Sequence, residues 1–526
     1  GSIFISSKAY DDIKNQKDIQ TISLGKYALK NVKEQMEIFA IANPGIKIPG
    51  TNMLEGKGEK VVEKSIEKSI AVLPFLNMSN DPDQEYFSDG ITEEIVNLLT
   101  HIKDLRVAGR TSSFHFKGRD IDIRLVGQKL NVRTLLEGSI RKQNFSLRIT
   151  AQLINAEDGI QIWSERYDRE LHDIFAIQDE IALAITEELK TTLLEKDKML
   201  INENRTGNKE AYDLYLKGRF HLNQRGVGIQ KALQYFQQAV EKDPAFSLPY
   251  SGMADAYFIL GFYGALPTNI AMTKARENAE KAIQSDNSNA EGLTTLACIS
   301  AFYDWNWTEA KKRFQRVFEI NPNYAPAHCW YSYYLSFVEG KSEDGIKEAR
   351  KAAELLEPFE SISHHVLSVT YMTANKFEEA LEAAKMAIQL DPSSFTGYRA
   401  LGVSLAGLHR YEEAVDALTT CALLSSRHVW ALCELCWVYS LLGKVSEAQK
   451  ILDELIVRAK TESISGLFLS GPAYFSKNYD QALEFMELAF EQRDCTLPFI
   501  KAYPPCSYLI TDIRFQPFIK RMNFPE

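Results

Sequence analysis

The chain has 526 residues, too many for one hydrophobic core, so several folded units are expected. Apolar residues make up 45% and charged residues 25%, an ordinary globular balance, and a net charge of −10 argues against a nucleic-acid surface, which needs a basic stripe. No apolar run nears the roughly 20 residues that span a bilayer, and the N-terminus lacks the basic and apolar regions of a signal peptide, so membrane insertion is not expected.

Residues 1–6 read as a strand and residues 8–15 as a short helix. Leu24-Gly25 reads as the start of a turn, and residues 36–41 as a closing strand. Three such elements are too few to make a core, so residues 1–42 look like the end of a larger domain. Leu24-Gly25 and Leu29-Lys30-Asn31-Val32 resemble the C-terminal edge of class III adenylate/guanylate cyclase domains. In that family the metal-binding aspartates, the base-recognising residues and the transition-state Asn and Arg lie upstream of this edge, and none maps onto this chain. The resemblance implies a parent polypeptide with a cyclase domain and a chain with no catalytic residue, metal ligand or cofactor of its own.

Residues 43–67 are polar with Gly and Pro, a linker composition. Gly56-Lys57-Gly58 lacks the following Gly-Lys-Ser/Thr and the preceding strand of a phosphate loop.

An α/β domain is expected over residues 68–195. A continuous apolar run at 69–76 reads as a strand. A helix over 86–102 follows, with Ile91, Ile95, Leu98 and Leu99 on one face and Asp89 and Thr92 as candidate caps. Strands are predicted at 105–108, 132–140, 147–154 and 160–167, and helices at 123–130 and 174–194. Asp158-Gly159 is a hairpin turn signal. Ile70-Ala71-Val72-Leu73-Pro74-Phe75, Leu136-Glu137-Gly138-Ser139 and Ile162-Trp163-Ser164-Glu165-Arg166-Tyr167-Asp168 resemble the amino-terminal α/β domain of the TolB type. That resemblance implies a fold that often precedes tetratricopeptide repeats in bacterial regulators, not a reaction. Arg106, Arg110, Lys117, Arg119 and Arg124 make the domain locally basic; they read as a solvated face, or as a docking face for an acidic partner.

The rest of the chain repeats itself. Ala380, Ala414, Ala448 and Ala482 stand 34 residues apart, and twelve positions before them sit Ser368, Gly402, Cys436 and Ser470, all small. Helices can cross closely only where the side chains are small, and one hairpin cannot bury its apolar stripe alone, so hairpins stack. The pattern resembles tetratricopeptide repeats and implies a right-handed superhelix of about eight repeats over residues 208–492. The stretch 261–267 is an insert in the second repeat, and residues 493–526 read as a capping helix region over the array's last apolar edge. The fold class is therefore multidomain: a short α/β remnant, an α/β domain and an all-α solenoid.

Seven cysteines, all in the C-terminal half, make no disulfide framework, which fits a reducing cytoplasm. Cys433-Glu434-Leu435-Cys436 has the spacing of a metal hook, but two ligands on one helical turn do not complete a tetrahedron, and packing is the reading. His364 is expected to pack and His365 to face the groove. By repeat phase, Tyr333, His365, Arg399, Trp430 and Trp437 point to the concave groove, where aromatic and Arg side chains anchor peptides. The competing reading for Trp430 and Trp437 is packing between neighbouring helices. The function expected is protein binding within a bacterial cyclic-nucleotide signalling protein. The partner is a protein or peptide, or the parent's own cyclase domain, with oligomers formed through that parent. A stand-alone repeat scaffold and a small-molecule sensor working through the α/β domain are the alternatives.

Overall fold

The computed structural model describes residues 4–6, 9–10, 19, 21–29, 36–41, 43, 58–61 and 68–525, apart from 80, 82–83, 144–145, 171–172, 190–205, 225 and 227. The chain divides into two compact units, Gly1–Glu67 and Lys68–Glu526.

Among the described residues the first unit holds four strands, β1 (Phe4–Ser6), β2 (Thr21–Leu29), β3 (Met36–Ile41) and β4 (Gly58–Val61), in the order β1-β3-β2-β4. All pairings are antiparallel. Two sequence expectations change here. Leu24-Gly25 is no turn: the register shifts between Ser23 and Gly25 inside one nine-residue strand, so the glycine marks a bulge. Gly58–Val61, within the stretch read as linker, pairs with β2 as an edge strand. Most of the stretch read as a helix at 8–15, and most of the linker, lies outside the described residues.

The second unit opens with β5 (Ser69–Val72), β6 (Leu76–Asn77), β7 (Arg106–Val107), β8 (Thr134–Gln143), β9 (Ser146–Asn155) and β10 (Gln161–Glu170). The sheet runs β10-β9-β8-β5-β7, with β6 also pairing with β8. β5 is parallel to β7 and β8, whereas β8, β9 and β10 form an antiparallel meander. Helices α1 (Glu85–Thr100), α2 (Arg110–Phe114), α3 (Ile123–Leu130) and α4 (Ile174–Glu188) connect and cover it. Asp122 caps α3 by accepting from Arg124 N. Asp89 and Thr92 are not caps: both are buried inside α1, and the Thr92 hydroxyl accepts from Phe75 N while donating to the Ser88 carbonyl. The small helix α2 has too little periodic pattern to be read from sequence.

Eight helix pairs follow. They are α5 (Lys209–Asn223) with α6 (Gly228–Lys242), α7 (Ser247–Phe262) with α8 (Thr268–Ser285), α9 (Ala290–Phe302) with α10 (Trp307–Ile320), and α11 (Ala325–Tyr333) with α12 (Ser342–Arg350). Then come α13 (Ser361–Thr373) with α14 (Phe377–Leu390), α15 (Phe395–Gly407) with α16 (Tyr411–Leu424), α17 (Val429–Leu441) with α18 (Val445–Arg458), and α19 (Gly466–Phe475) with α20 (Tyr479–Glu491). Each pair packs on the next. In the fourth pair both helices continue as π-helix, over Tyr334–Val338 and Lys351–Leu356.

The repeating small residues sit where the helices cross. Ala380, Ala414, Ala448 and Ala482 are fully buried. The residue twelve positions earlier does more than leave room: Ser368 Oγ donates to the Ala380 carbonyl at 2.6 Å, Ser470 Oγ to the Ala482 carbonyl at 2.8 Å, and Cys436 Sγ to the Ala448 carbonyl at 3.6 Å. At Gly402 a Cβ would stand 2.5 Å from Leu418 Cγ and 3.3 Å from the Ala414 carbonyl oxygen, so glycine serves the same closeness.

One apolar core runs from β5 and α1 through α4 into the first repeats, joining Ile70, Ile91, Ile95 and Ile181 to Tyr215, Leu216 and Phe236. The α/β part and the array therefore fold against each other.

Candidate functional site

Tyr333, His365, Arg399, Trp430 and Trp437 lie on the first helices of four successive pairs, and all five are buried, between 3% and 8% exposed. This corrects the expectation of an open groove. The chain's own end packs against these first helices. After α20 the chain makes two 3₁₀ turns, Leu497–Lys501 and Pro504–Cys506. The short helices α21 (Ser507–Thr511) and α22 (Gln516–Arg521) follow. Phe499 stands among four rings from the second, third and fourth pairs: Phe337 at 4.3 Å, Tyr333 at 5.5 Å, Phe302 at 5.8 Å and Phe262 at 6.0 Å between centroids. Leu497 and Ile500 beside it are fully buried.

Farther along the groove the contact becomes polar. Arg399 Nε donates to Glu434 Oε1 at 2.7 Å, and Arg399 Nη2 donates to the Tyr503 hydroxyl at 2.9 Å. That hydroxyl donates in turn to Glu434 Oε1. The guanidinium also lies 4.0 Å over the Trp430 ring. Burial pushes the Glu434 carboxyl upward and the charge of Arg399 pulls it back. His365 is pushed down to about 3 by burial, with the charge of Arg399 adding to it, and is neutral at physiological pH. Trp430 packs between Phe262, Tyr263 and Phe468, rings that come from the second and eighth pairs. Trp437 is buried in the same core cluster. His364 is buried too, its Nε2 within 3.0 Å of the Pro358 carbonyl oxygen.

The array also meets itself. His428 Nε2 lies 2.8 Å from the Tyr263 carbonyl oxygen, so the insert at 261–267 reaches the seventh pair. A cavity of about 910 Å³ lies beside this contact, lined by Tyr263, Tyr303, Arg458, Phe468 and Arg493 among others. Trp307 Nε1 donates to the Asn523 carbonyl at 2.8 Å, which ties the third pair to the chain's end.

Many polar contacts dock the α/β part on the array, and two of them centre on buried carboxylates. Glu93 of α1 accepts from Arg219 and Asn223 of α5 and pairs with Arg110. Burial alone would raise this carboxyl, but the charges of Arg219 and Arg110 reverse the effect and hold it below the ordinary range. Glu357, just past the π-helical end of the fourth pair, accepts from Thr111 N at 3.3 Å and from Ser112 N at 2.8 Å. Gly109 N donates to the Leu356 carbonyl at 2.6 Å. Phe359 packs on His115 and Phe116. The basic residues divide accordingly. Arg106 is buried and donates to the Leu355 and Asn131 carbonyls, whereas Arg124 pairs with Asp122 in solvent. Arg110 serves a docking face, but its acidic partner belongs to the same domain and the same interface.

Cys433 and Cys436 donate to carbonyls of Phe468 and Ala448, and all seven cysteines are free thiols. Phe499, Tyr503, Glu434 and Glu357 were not singled out from sequence. Glu434 carried a signal, since it stands 35 residues after Arg399, one position beyond the repeat period, where neighbouring first helices face each other.

Residues 66–184 match the family model of the HilA/YgeH-like transcriptional regulator, second domain. A Rhizobium meliloti (strain 1021) protein named "Putative adenylate cyclase 3" is 35% identical over 301 residues, covering 56% of this chain and 50% of its own. Transcriptional regulator HilA of Salmonella typhimurium is 27% identical over 143 residues, covering 27% of this chain and 26% of its own. The chain thus spans half the length of the first relative and about a quarter of the second. Among solved structures, YrrB, described as a TPR protein with an unusual peptide-binding site, is 17% identical, covering 38% of this chain and 95% of its own, with a TM-score of 0.25. A monomeric mutant of IFIT1 with Gppp-AAAA is 13% identical, covering 61% of this chain and 89% of its own, with a TM-score of 0.41. Among the described residues no helix is long and apolar enough to cross a membrane.

Proposed function

We propose that this chain is a protein-interaction and regulatory segment of a bacterial cyclic-nucleotide signalling protein. Two kinds of observation support the reading. A stack of eight helix hairpins is an architecture whose surface is made for contact rather than chemistry. The 35%-identical relative bearing an adenylate cyclase name gives the signalling context, and it is the observation that carries the proposal. The shared core with the α/β part adds a mechanical element: a partner that bends the array would also move the α/β part.

The chain by itself is proposed to have no cyclase activity, and incubation with ATP or GTP should yield no cyclic nucleotide above background. The regulatory role is tested by measuring cyclic-nucleotide synthesis in a full-length protein that carries this chain. Arg219→Met, which strips Glu93 of its main partner at the docking contact, should change synthesis at least several-fold. Unchanged synthesis in a folded variant would remove the regulatory reading, and clear product from the chain alone would overturn the non-catalytic one.

A further inference from the structure

The filling of the groove is not what packing alone would select. The end of the chain seals an apolar array with Phe499, Leu497 and Ile500, yet four residues past Phe499 it places a phenol on a buried ion pair. Arg399, Glu434 and Tyr503 are all under a tenth exposed. Apolar side chains of the same volume would stabilise such a site at least as well. What a buried, hydrogen-bonded charge pair adds is selectivity for the group that satisfies it. The set is also incompletely satisfied. Glu434 Oε2, Trp430 Nε1 and His365 Nδ1 are buried with no hydrogen-bond partner among the described residues. A segment that met these atoms would bind better than the one now present.

We propose that Leu497–Tyr503 is a resident ligand, held in cis, of a peptide-binding groove. Its natural competitor would be a partner segment presenting an aromatic side chain four residues before a tyrosine. That aromatic takes the place of Phe499 among Phe262, Phe302, Tyr333 and Phe337. The tyrosine takes the place of Tyr503 on Arg399 and Glu434. This rests on the interaction-segment reading above. It makes Tyr333 and Arg399, two of the five residues expected from sequence, part of a site whose contacts are at present made within the chain.

The test uses the full chain and one probe, a fluorescein-labelled peptide with the sequence of residues 495–506. Phe499→Ala combined with Tyr503→Ala weakens the resident segment and should bind the probe at least about tenfold more tightly than the unmodified chain. Adding Arg399→Met, or replacing the probe's tyrosine with phenylalanine, should each remove about tenfold or more of that affinity. A double variant that keeps its helical circular dichroism and elution volume but does not bind the probe overturns the proposal. So does binding indifferent to Arg399 and to the phenol. Should the double variant not fold, hydrogen exchange on the unmodified chain decides. Residues 497–503 must open more readily than α11 and α15 beneath them; joint exchange only on global unfolding refutes a displaceable segment. A regulatory segment that binds partners elsewhere would still alter cyclic-nucleotide synthesis while failing this test, so the two readings fail separately.

Discussion

Replacing Glu357 with glutamine should make the docking of the α/β part on the array nearly independent of pH between 5 and 8. Glu357 is buried, and both its oxygens accept from backbone N–H groups of α2. Burial, reinforced by the charge of Glu360, pushes its carboxyl from 4.5 up to about 8, against the pull of those N–H groups. The folded state therefore holds a proton that the unfolded state has released over this interval. A raised folded-state pKa means the contribution is fully present below 4.5 and is lost as pH rises through 8. The slope is about 1.4 kcal/mol per pH unit, and over the whole interval the ceiling is about 5 kcal/mol. Glutamine keeps one acceptor oxygen, enough for one of the two N–H groups, and has no proton to lose; the lost acceptor shifts its stability by a constant that does not depend on pH. The assay is the urea midpoint of both proteins at several pH values, with hydrogen exchange of residues 106–116 reporting on docking. Every other titrating group is common to both chains, so their difference isolates Glu357. The unmodified chain should lose stability relative to the variant by several kcal/mol from pH 5 to pH 8. Parallel curves, differing by less than about 0.5 kcal/mol across the range, would refute the reasoning.

Other substitutions probe the remaining contacts. Gly109→Ala places a Cβ 2.1 Å from Glu357 Oε1, so it should lower the thermal midpoint, and pairing it with Glu357→Ala should recover part of the loss. Arg219→Met removes two hydrogen bonds from a buried Glu93 and should cost about 3 kcal/mol in urea unfolding, with the deficit shrinking as acid protonates that carboxyl. Ala414→Leu overpacks a fully buried crossing and should cost about 1–3 kcal/mol by the same measurement, whereas the same change at exposed Glu412 should be nearly neutral. Tyr503→Phe leaves the ring and removes the phenol from Arg399 and Glu434; a stability loss of about 1–3 kcal/mol is expected, and none would mean the network carries no energy.

Much of the fold was legible because its causes are local. A strict alternation at Leu147, Ile149, Ala151 and Leu153 buries those four side chains and no others between them. The phased alanines mark real crossings, since every one is fully buried. Errors came where tertiary contact overrode a local signal. Asp89 and Thr92 look like caps by residue type, but their helix begins earlier and both turn inward. Gly25 looks like a turn, but a neighbouring strand on each side of β2 keeps the backbone extended through it. Tyr333, His365, Arg399, Trp430 and Trp437 lie on the first helices of their pairs, and phase does not reveal their burial because it says nothing about what comes to lie on a face.

The sequence alone determined the hairpin, its crossing points and its period, because small side chains and amphipathic spacing act over a few tens of residues. The tertiary structure alone decided what the array holds. Arg399 meets Tyr503 across 104 positions, and Glu357 meets Ser112 across 245. Such contacts follow from how each hairpin sits on the last, a geometry accumulated from pair to pair, and no local pattern of residues encodes which distant segments it will bring together.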